Sequence, residues 1–161
     1  MDDGAVACRS EVDHLADRCG IFVTGLEPHA IGVTARSAAL VREAREALEA
    51  AGIATASLSG RSHVPAVRTG TMHAMKGLEF QAVAVIGVEQ GLVPKPGAVT
   101  PETEDPLAYA QDLQRERCVL FVACTRARDH LHVSGAGEPS PFLPPGAVEP
   151  VPPPAALHSL P

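Results

Sequence analysis

Apolar residues along the chain fall into two patterns. Short runs of small and β-branched residues stand at 31–35, 53–58, 66–70 and 81–87, with a last one at 131–133. Their length and composition predict strands, the central ones buried on both faces of a parallel sheet. Between them, apolar residues recur at steps of three and four. Ala5, Cys8, Val12, Leu15, Ala16 and Cys19 predict a helix over 5–19 that stops at Gly20. Leu40, Val41, Ala44, Leu48 and Ala51 predict a second, capped by Ser37 and closed by Gly52. A third opens at Asp105-Pro106 and runs to Cys124, with Leu107, Ala110, Leu113, Leu120 and Phe121 as its expected buried stripe. Strands alternating with helices predict an α/β domain with a mainly parallel sheet.

One connection is unusually polar. Thr71-Met72-His73-Ala74-Met75-Lys76-Gly77-Leu78-Glu79-Phe80 places a hydroxyl, an imidazole, an ammonium and a carboxylate between two buried strands. Loops leaving the carboxyl ends of such strands are where open α/β sheets bind ligands, so this stretch is a site candidate. A solvated crossover with ordinary polar content is the alternative. Arg36 stands in a comparable place, directly after the 31–35 run.

Composition narrows the classes. With 45% apolar residues the chain can bury a core, and its 161 residues suit one ordinary domain. The net charge of −6 argues against a free-standing nucleic-acid binder, yet residues 31–80 carry six basic against four acidic groups. Cys8, Cys19, Cys118 and Cys124 form no C-x-x-C pair, so buried, reduced thiols are expected rather than zinc or disulfides. His130 and His132 share a strand face without an evident third ligand, so no metal site is expected. The acidic start Met1-Asp2-Asp3 and the lack of a long apolar run predict a cytoplasmic protein without a membrane span. Residues 135–161 hold nine of the fifteen prolines and predict an extended or disordered tail after a domain spanning 1–134.

The polar stretch reads Thr-x-His-x-x-Lys-Gly-Leu-Glu-Phe and resembles motif V of the UvrD/Rep-type superfamily 1 DNA helicases. About forty residues on, Glu116-Arg117-Cys118-Val119-Leu120-Phe121-Val122-Ala123-Cys124-Thr125-Arg126-Ala127-Arg128 is similar to motif VI. The strand ending at Arg36 resembles motif IV, and Gly91 and Pro94 match a G-x-x-P segment of the family. The resemblance covers roughly residues 20–134 and implies a RecA-like, three-layer domain of the P-loop NTPase type, the second motor domain in its compact form. It implies Arg126 as an arginine finger on ATP and Arg36 as a second contact to the terminal phosphate. It also implies Glu79 as acceptor from the ribose hydroxyl, Gly77 beside the nucleotide, Thr71 and His73 on single-stranded DNA, and Lys76 between the two ligands.

Phe121 replaces the usual tyrosine, and Cys118 stands where a second arginine is frequent. No G-x-x-x-x-G-K-[ST] phosphate loop and no Asp-Glu dipeptide occur in the chain. ATP with Mg²⁺ is therefore expected to be held mainly by an N-terminal motor domain, in trans or in a full-length parent. A non-catalytic module docking on a helicase or nucleic acid, or an inactive relic, is the alternative.

Overall fold

The computed structural model describes residues 25–60 and 64–147; the helix expected over 5–19 lies outside them. Five strands form one parallel sheet in the order β2-β3-β1-β4-β5. They are β1 (Ile31–Ala35), β2 (Thr55–Ser57), β3 (Val67–Thr71), β4 (Phe80–Ile86) and β5 (Ala127–Val133). Helix α1 (Ala38–Ala50) links β1 to β2, and helix α2 (Pro106–Cys124) leads into β5. A single 3-10 turn, Met72–Met75, lies in the connection from β3 to β4. The expected α/β class with a parallel sheet is what the chain adopts.

The central strands show why they need no polar alternation. On β4, Ala82, Ala84 and Ile86 join Ile31, Val33, Leu40, Ala44 and Leu48 in one core beneath α1. Val83 and Val85, pointing the other way, join Met72, Met75, Leu120 and Ala123 beneath α2. Both faces are covered, so the strand is apolar throughout. The three layers are α1, the sheet, and α2 with the Met72–Met75 turn.

Local chemistry sets the helix ends. The Ser37 hydroxyl accepts from the Leu40 N–H at 3.1 Å, and Gly52 takes a φ of 79° after α1. The Asp105 carboxylate accepts from the N–H groups of Leu107 and Ala108, both at 3.0 Å, ahead of Pro106. No helix among the described residues is long and apolar enough to cross a membrane.

Two expectations need correction. The buried column of α2 is Asp112, Glu116, Leu120 and Ala123, whereas Leu107 and Phe121 are 70% and 68% exposed and Ala110 is exposed. The helix is rotated from the purely apolar phase because two carboxylates on it hold the loop at 95–100. Lys95 N–H donates to Glu116 at 3.0 Å, and Thr100 donates from both N–H and hydroxyl to Asp112 at 2.9 and 2.8 Å. Buried carboxylates that receive such bonds are tolerated where unpaired ones are not.

The second concerns the region from 135 onward. Residues 135–147 are not a free tail but a strap folded over the end of the sheet. The Glu89 carboxylate accepts from Ala136 and Gly137 N–H at 2.6 and 2.7 Å, and Glu89 bridges Pro139. The buried Ser140 donates its hydroxyl to the Val93 carbonyl at 2.6 Å. Phe142 and Leu143 pack on the α2-side core, and the Arg117 guanidinium stacks 5.1 Å from the Phe142 ring centroid. Proline prevents ladder pairing but not this irregular packing. Residues 148–161 lie outside the described segment.

The strap should therefore contribute to stability. Phe142→Ala is expected to cost about 1–2 kcal/mol, for a half-buried aromatic that also loses its guanidinium partner. Urea denaturation measures it; an unchanged midpoint would mean that the strap adds nothing.

Candidate functional site

The polar stretch does not stay at one end of the sheet. It leaves the carboxyl end of β3 at Thr71, crosses beneath α2 as the Met72–Met75 turn, and re-enters at the amino end of β4 at Phe80. Met72 and Met75 are buried and anchor the crossing, while His73, Lys76 and Glu79 are exposed and Thr71 is half-buried. Gly77 has a φ of 78°, with nothing within 4 Å of where a Cβ would lie. Backbone conformation therefore dictates glycine here, and the open space leaves its backbone approachable by a ligand.

Arg126 belongs to the second end of this crossing. It follows the α2 C-cap Thr125, and its carbonyl accepts from Phe80 N–H at 2.9 Å. Its guanidinium donates to the carbonyls of Val122 at 3.1 Å and Leu78 at 3.4 Å, and to the Thr125 hydroxyl at 3.2 Å. The cation is thus oriented by the helix end and by the Gly77-Leu78-Glu79 segment. Both terminal nitrogens keep donors to offer. Asp129 pairs with Arg128 at 3.0 Å and, by hydrogen bond and charge, raises the Arg128 guanidinium pKa; the Glu79 charge adds to it.

Arg36 belongs to the first end. Ala35 is in register with Thr71 on one side and with Ile86 on the other. Phe80, by contrast, is in register with Ala127. Six residues of β4 separate the two levels, roughly 20 Å at the rise of a strand. The structure therefore gathers Gly77, Glu79 and Arg126 at the amino ends of β4 and β5. It gathers Arg36, Thr71 and His73 at the carboxyl ends of β1 and β3. Arg36 and Arg126, expected on the same phosphate, are not brought together.

Arg36 is also already engaged. Its Nε and Nη2 donate to the two Glu116 oxygens at 2.9 and 2.7 Å, with side chains only 12% and 5% exposed. Burial pushes the Glu116 carboxyl up. The hydrogen bonds from Arg36 and Lys95 N–H, with the charges of Arg36 and His73, outweigh this and hold it below the ordinary carboxylate range. Glu116 thus joins β1, the 95–98 loop and α2. It was legible only as the first residue of the motif VI match, with no hint of this role.

Beside this pair lies an open groove of about 700 Å³, lined among others by Arg36, His73, Gln111, Gln114 and Arg115. A smaller one of about 230 Å³ continues past His73, Cys118 and Val119 to Lys76 and Val122. Cys118 is exposed in both, contrary to the buried thiol expected, because it sits opposite the Glu116–Leu120 column of α2. Cys124 is half-buried, and burial pushes its thiol pKa up; Cys8 and Cys19 lie outside the described residues. Among the described residues no group of three or more His, Cys, Asp or Glu could hold a metal ion. The Arg126 end thus presents an exposed carboxylate, Glu79, and the open backbone of Gly77 beside the Arg126 guanidinium.

A parallel sheet covered on both faces, with its polar crossing under a long helix, defines a three-layer α/β domain. Residues 35–138 match the UvrD-like helicase C-terminal domain family, and the chain belongs to it. Over 66 residues it is 38% identical to the ATP-dependent DNA helicase PcrA of Staphylococcus aureus (strain Mu50 / ATCC 700699). The PcrA of Staphylococcus epidermidis (strain ATCC 12228 / FDA PCI 1200) is 36% identical over the same length. Each match spans 41% of this chain but only 8% of the relative. Among solved structures, the C-terminal domain of a possible DNA helicase from Lactobacillus plantarum WCFS1 superposes with a TM-score of 0.59. At 23% identity, it covers 82% of this chain and 70% of that one, a likeness of fold.

Proposed function

We propose that this chain is the second motor domain of an ATP-dependent DNA helicase. Its Arg126 completes a nucleotide site shared with a first motor domain, and Thr71 and His73 form part of a single-stranded DNA track. The observation that carries this reading is the separation of the polar crossing into two ends. Gly77, Glu79 and Arg126 stand at one and Thr71 and His73 at the other, joined by the Met72–Met75 turn, whose two methionines are buried. A rigid segment touching two ligands couples the occupation of one to the position of the other.

In this reading ATP with Mg²⁺ supplies the phosphoanhydride chemistry, held mainly by the first motor domain. Arg126 places a permanent cation where negative charge develops, in a planar fork suited to phosphate oxygens. Glu79, exposed beside the open Gly77 backbone, accepts from sugar hydroxyls, and Lys76 lies on the path between the two ends. Arg36 is assigned to the DNA end of the sheet, where Glu116 holds it.

The test is DNA-stimulated ATP hydrolysis by the purified chain, alone and mixed with a separately expressed first motor domain of the same family. Turnover only in the mixture is the expected result. No turnover in the mixture, despite a cooperative unfolding transition for the chain, would replace this reading with a non-catalytic docking module or an inactive relic.

A further inference from the structure

The proposed DNA track accounts for Thr71 and His73 but not for the groove that begins beside them. Its floor is the Arg36–Glu116 pair, and one wall is the face of α2 that carries Gln111, Gln114, Arg115 and Cys118. Helical spacing puts 111, 115, 118 and 122 on neighbouring turns of one side, so these residues form a continuous wall rather than scattered positions. The groove's lining contains one carboxylate, Glu116, and both its oxygens are turned to Arg36 and to the Lys95 N–H. What remains for a ligand is neutral or cationic. Gln111 and Gln114 offer exposed amides, and His73 is exposed. The Arg115 side chain is 72% exposed and gives one terminal nitrogen to Asp112 at 2.9 Å. In a chain of net charge −6, this is a local surface without an available negative group.

The geometry points to this groove as the continuation of the single-stranded DNA path. Arg115 would bind a backbone phosphate, and Gln111 and Gln114 would contact the sugars or bases of the nucleotides next to the one at His73. The assignment rests on the proposed function for its ligand class and on the groove for its residues. The groove is open to solvent along α2, as a passing strand requires, and is continuous with the track end through His73. Its amides carry no sequence code of their own, so the contact should be tolerant of sequence, with affinity set by the phosphate and therefore by salt.

The test uses the whole chain and a fluorescein-labelled oligo(dT) of about a dozen nucleotides, followed by anisotropy across a salt series. The double variant Gln111→Glu with Arg115→Glu is expected to weaken binding tenfold or more. Arg115→Gln alone should lower the slope of log K against log salt by about 0.7, the value for one lost phosphate on a single strand. A second readout needs no variant. Cys118 lies in the groove, so bound oligo(dT) should slow its alkylation by a maleimide, followed by peptide mass mapping, while leaving Cys124 unprotected.

Suppose Thr71→Ala and His73→Ala weaken binding, but the α2 variants do not and Cys118 reacts at its free rate. The groove is then not part of the track, although the proposed function stands. Absence of saturable binding by the wild-type chain overturns both. Protection of Cys118 by a first motor domain but not by oligo(dT) makes the groove a protein interface and overturns the assignment to DNA.

Discussion

Arg126→Ala is expected to reduce DNA-stimulated ATP hydrolysis by the reconstituted motor by about 10³–10⁵-fold, the range for removing an arginine that stabilises phosphoryl transfer. The wild-type side chain is held by the carbonyls of Val122 and Leu78, so the alanine variant also loses local hydrogen bonds. Their net worth is about 1 kcal/mol each, too little to unfold a domain with two packed cores. Arg126→Lys separates the two effects. A lysine keeps the charge but lacks the planar fork, so the thermal midpoint should stay near wild type while most of the turnover is still lost. Near-wild-type turnover in the alanine variant would remove Arg126 from the reaction. The corresponding change at Arg36 should act differently, by loosening α2 and weakening DNA binding, because Arg36 stands roughly 20 Å from Arg126 along the strands.

Much of this was legible from the sequence because it rested on local rules. The strands at 31–35 and 81–87 are apolar on both faces, and only a sheet covered on both sides hides such a run. Ser37, Gly52 and Asp105-Pro106 are residues whose backbone or side-chain chemistry marks a helix end wherever they fall. The polar crossing stood out because it leaves the carboxyl end of a buried parallel strand, where open α/β sheets bind ligands. What escaped was tertiary. Apolar spacing phased α2 on Leu107 and Phe121, since nothing local shows that Asp112 and Glu116 turn inward to hold a loop twelve to twenty-one residues before them. The strap after 134 was hidden behind its prolines, and its anchor, Glu89, lies 47 residues upstream. The two arginines could be assigned to a family pattern but not to opposite ends of the sheet, because strand order and direction are set by long-range pairing.

Glu116 is where these tertiary effects concentrate, and its replacement is expected to have the largest effect on stability. Glu116→Ala strands the Arg36 guanidinium beneath α2 and leaves the Lys95 N–H without its acceptor. Breaking a buried pair by removing one partner costs about 3–5 kcal/mol. A value of about 3 kcal/mol is expected here, since Arg36 keeps a little solvent contact. Replacing both residues by methionine should recover most of that loss, because the desolvation of two charges then disappears with their attraction. A loss in the double variant equal to the sum of the separate Arg36 and Glu116 losses would show that the pair itself is not coupled.

The pH dependence follows from the same geometry. The folded carboxyl of Glu116 titrates below its ordinary value of 4.5, so the stability it contributes is fully present above that pH. It is lost as pH falls through the folded value. Asp112, lowered chiefly by the Thr100 N–H and hydroxyl bonds, has the same sign below its ordinary 3.8. Urea midpoints measured from pH 7 to pH 3 should therefore fall less steeply below about pH 4.5 in Glu116→Gln than in wild type, with the remaining slope belonging to Asp112 and the other carboxylates. Parallel curves would mean that Glu116 is as free to take up a proton in the folded chain as in the unfolded one, which its bonds to Arg36 and Lys95 do not allow.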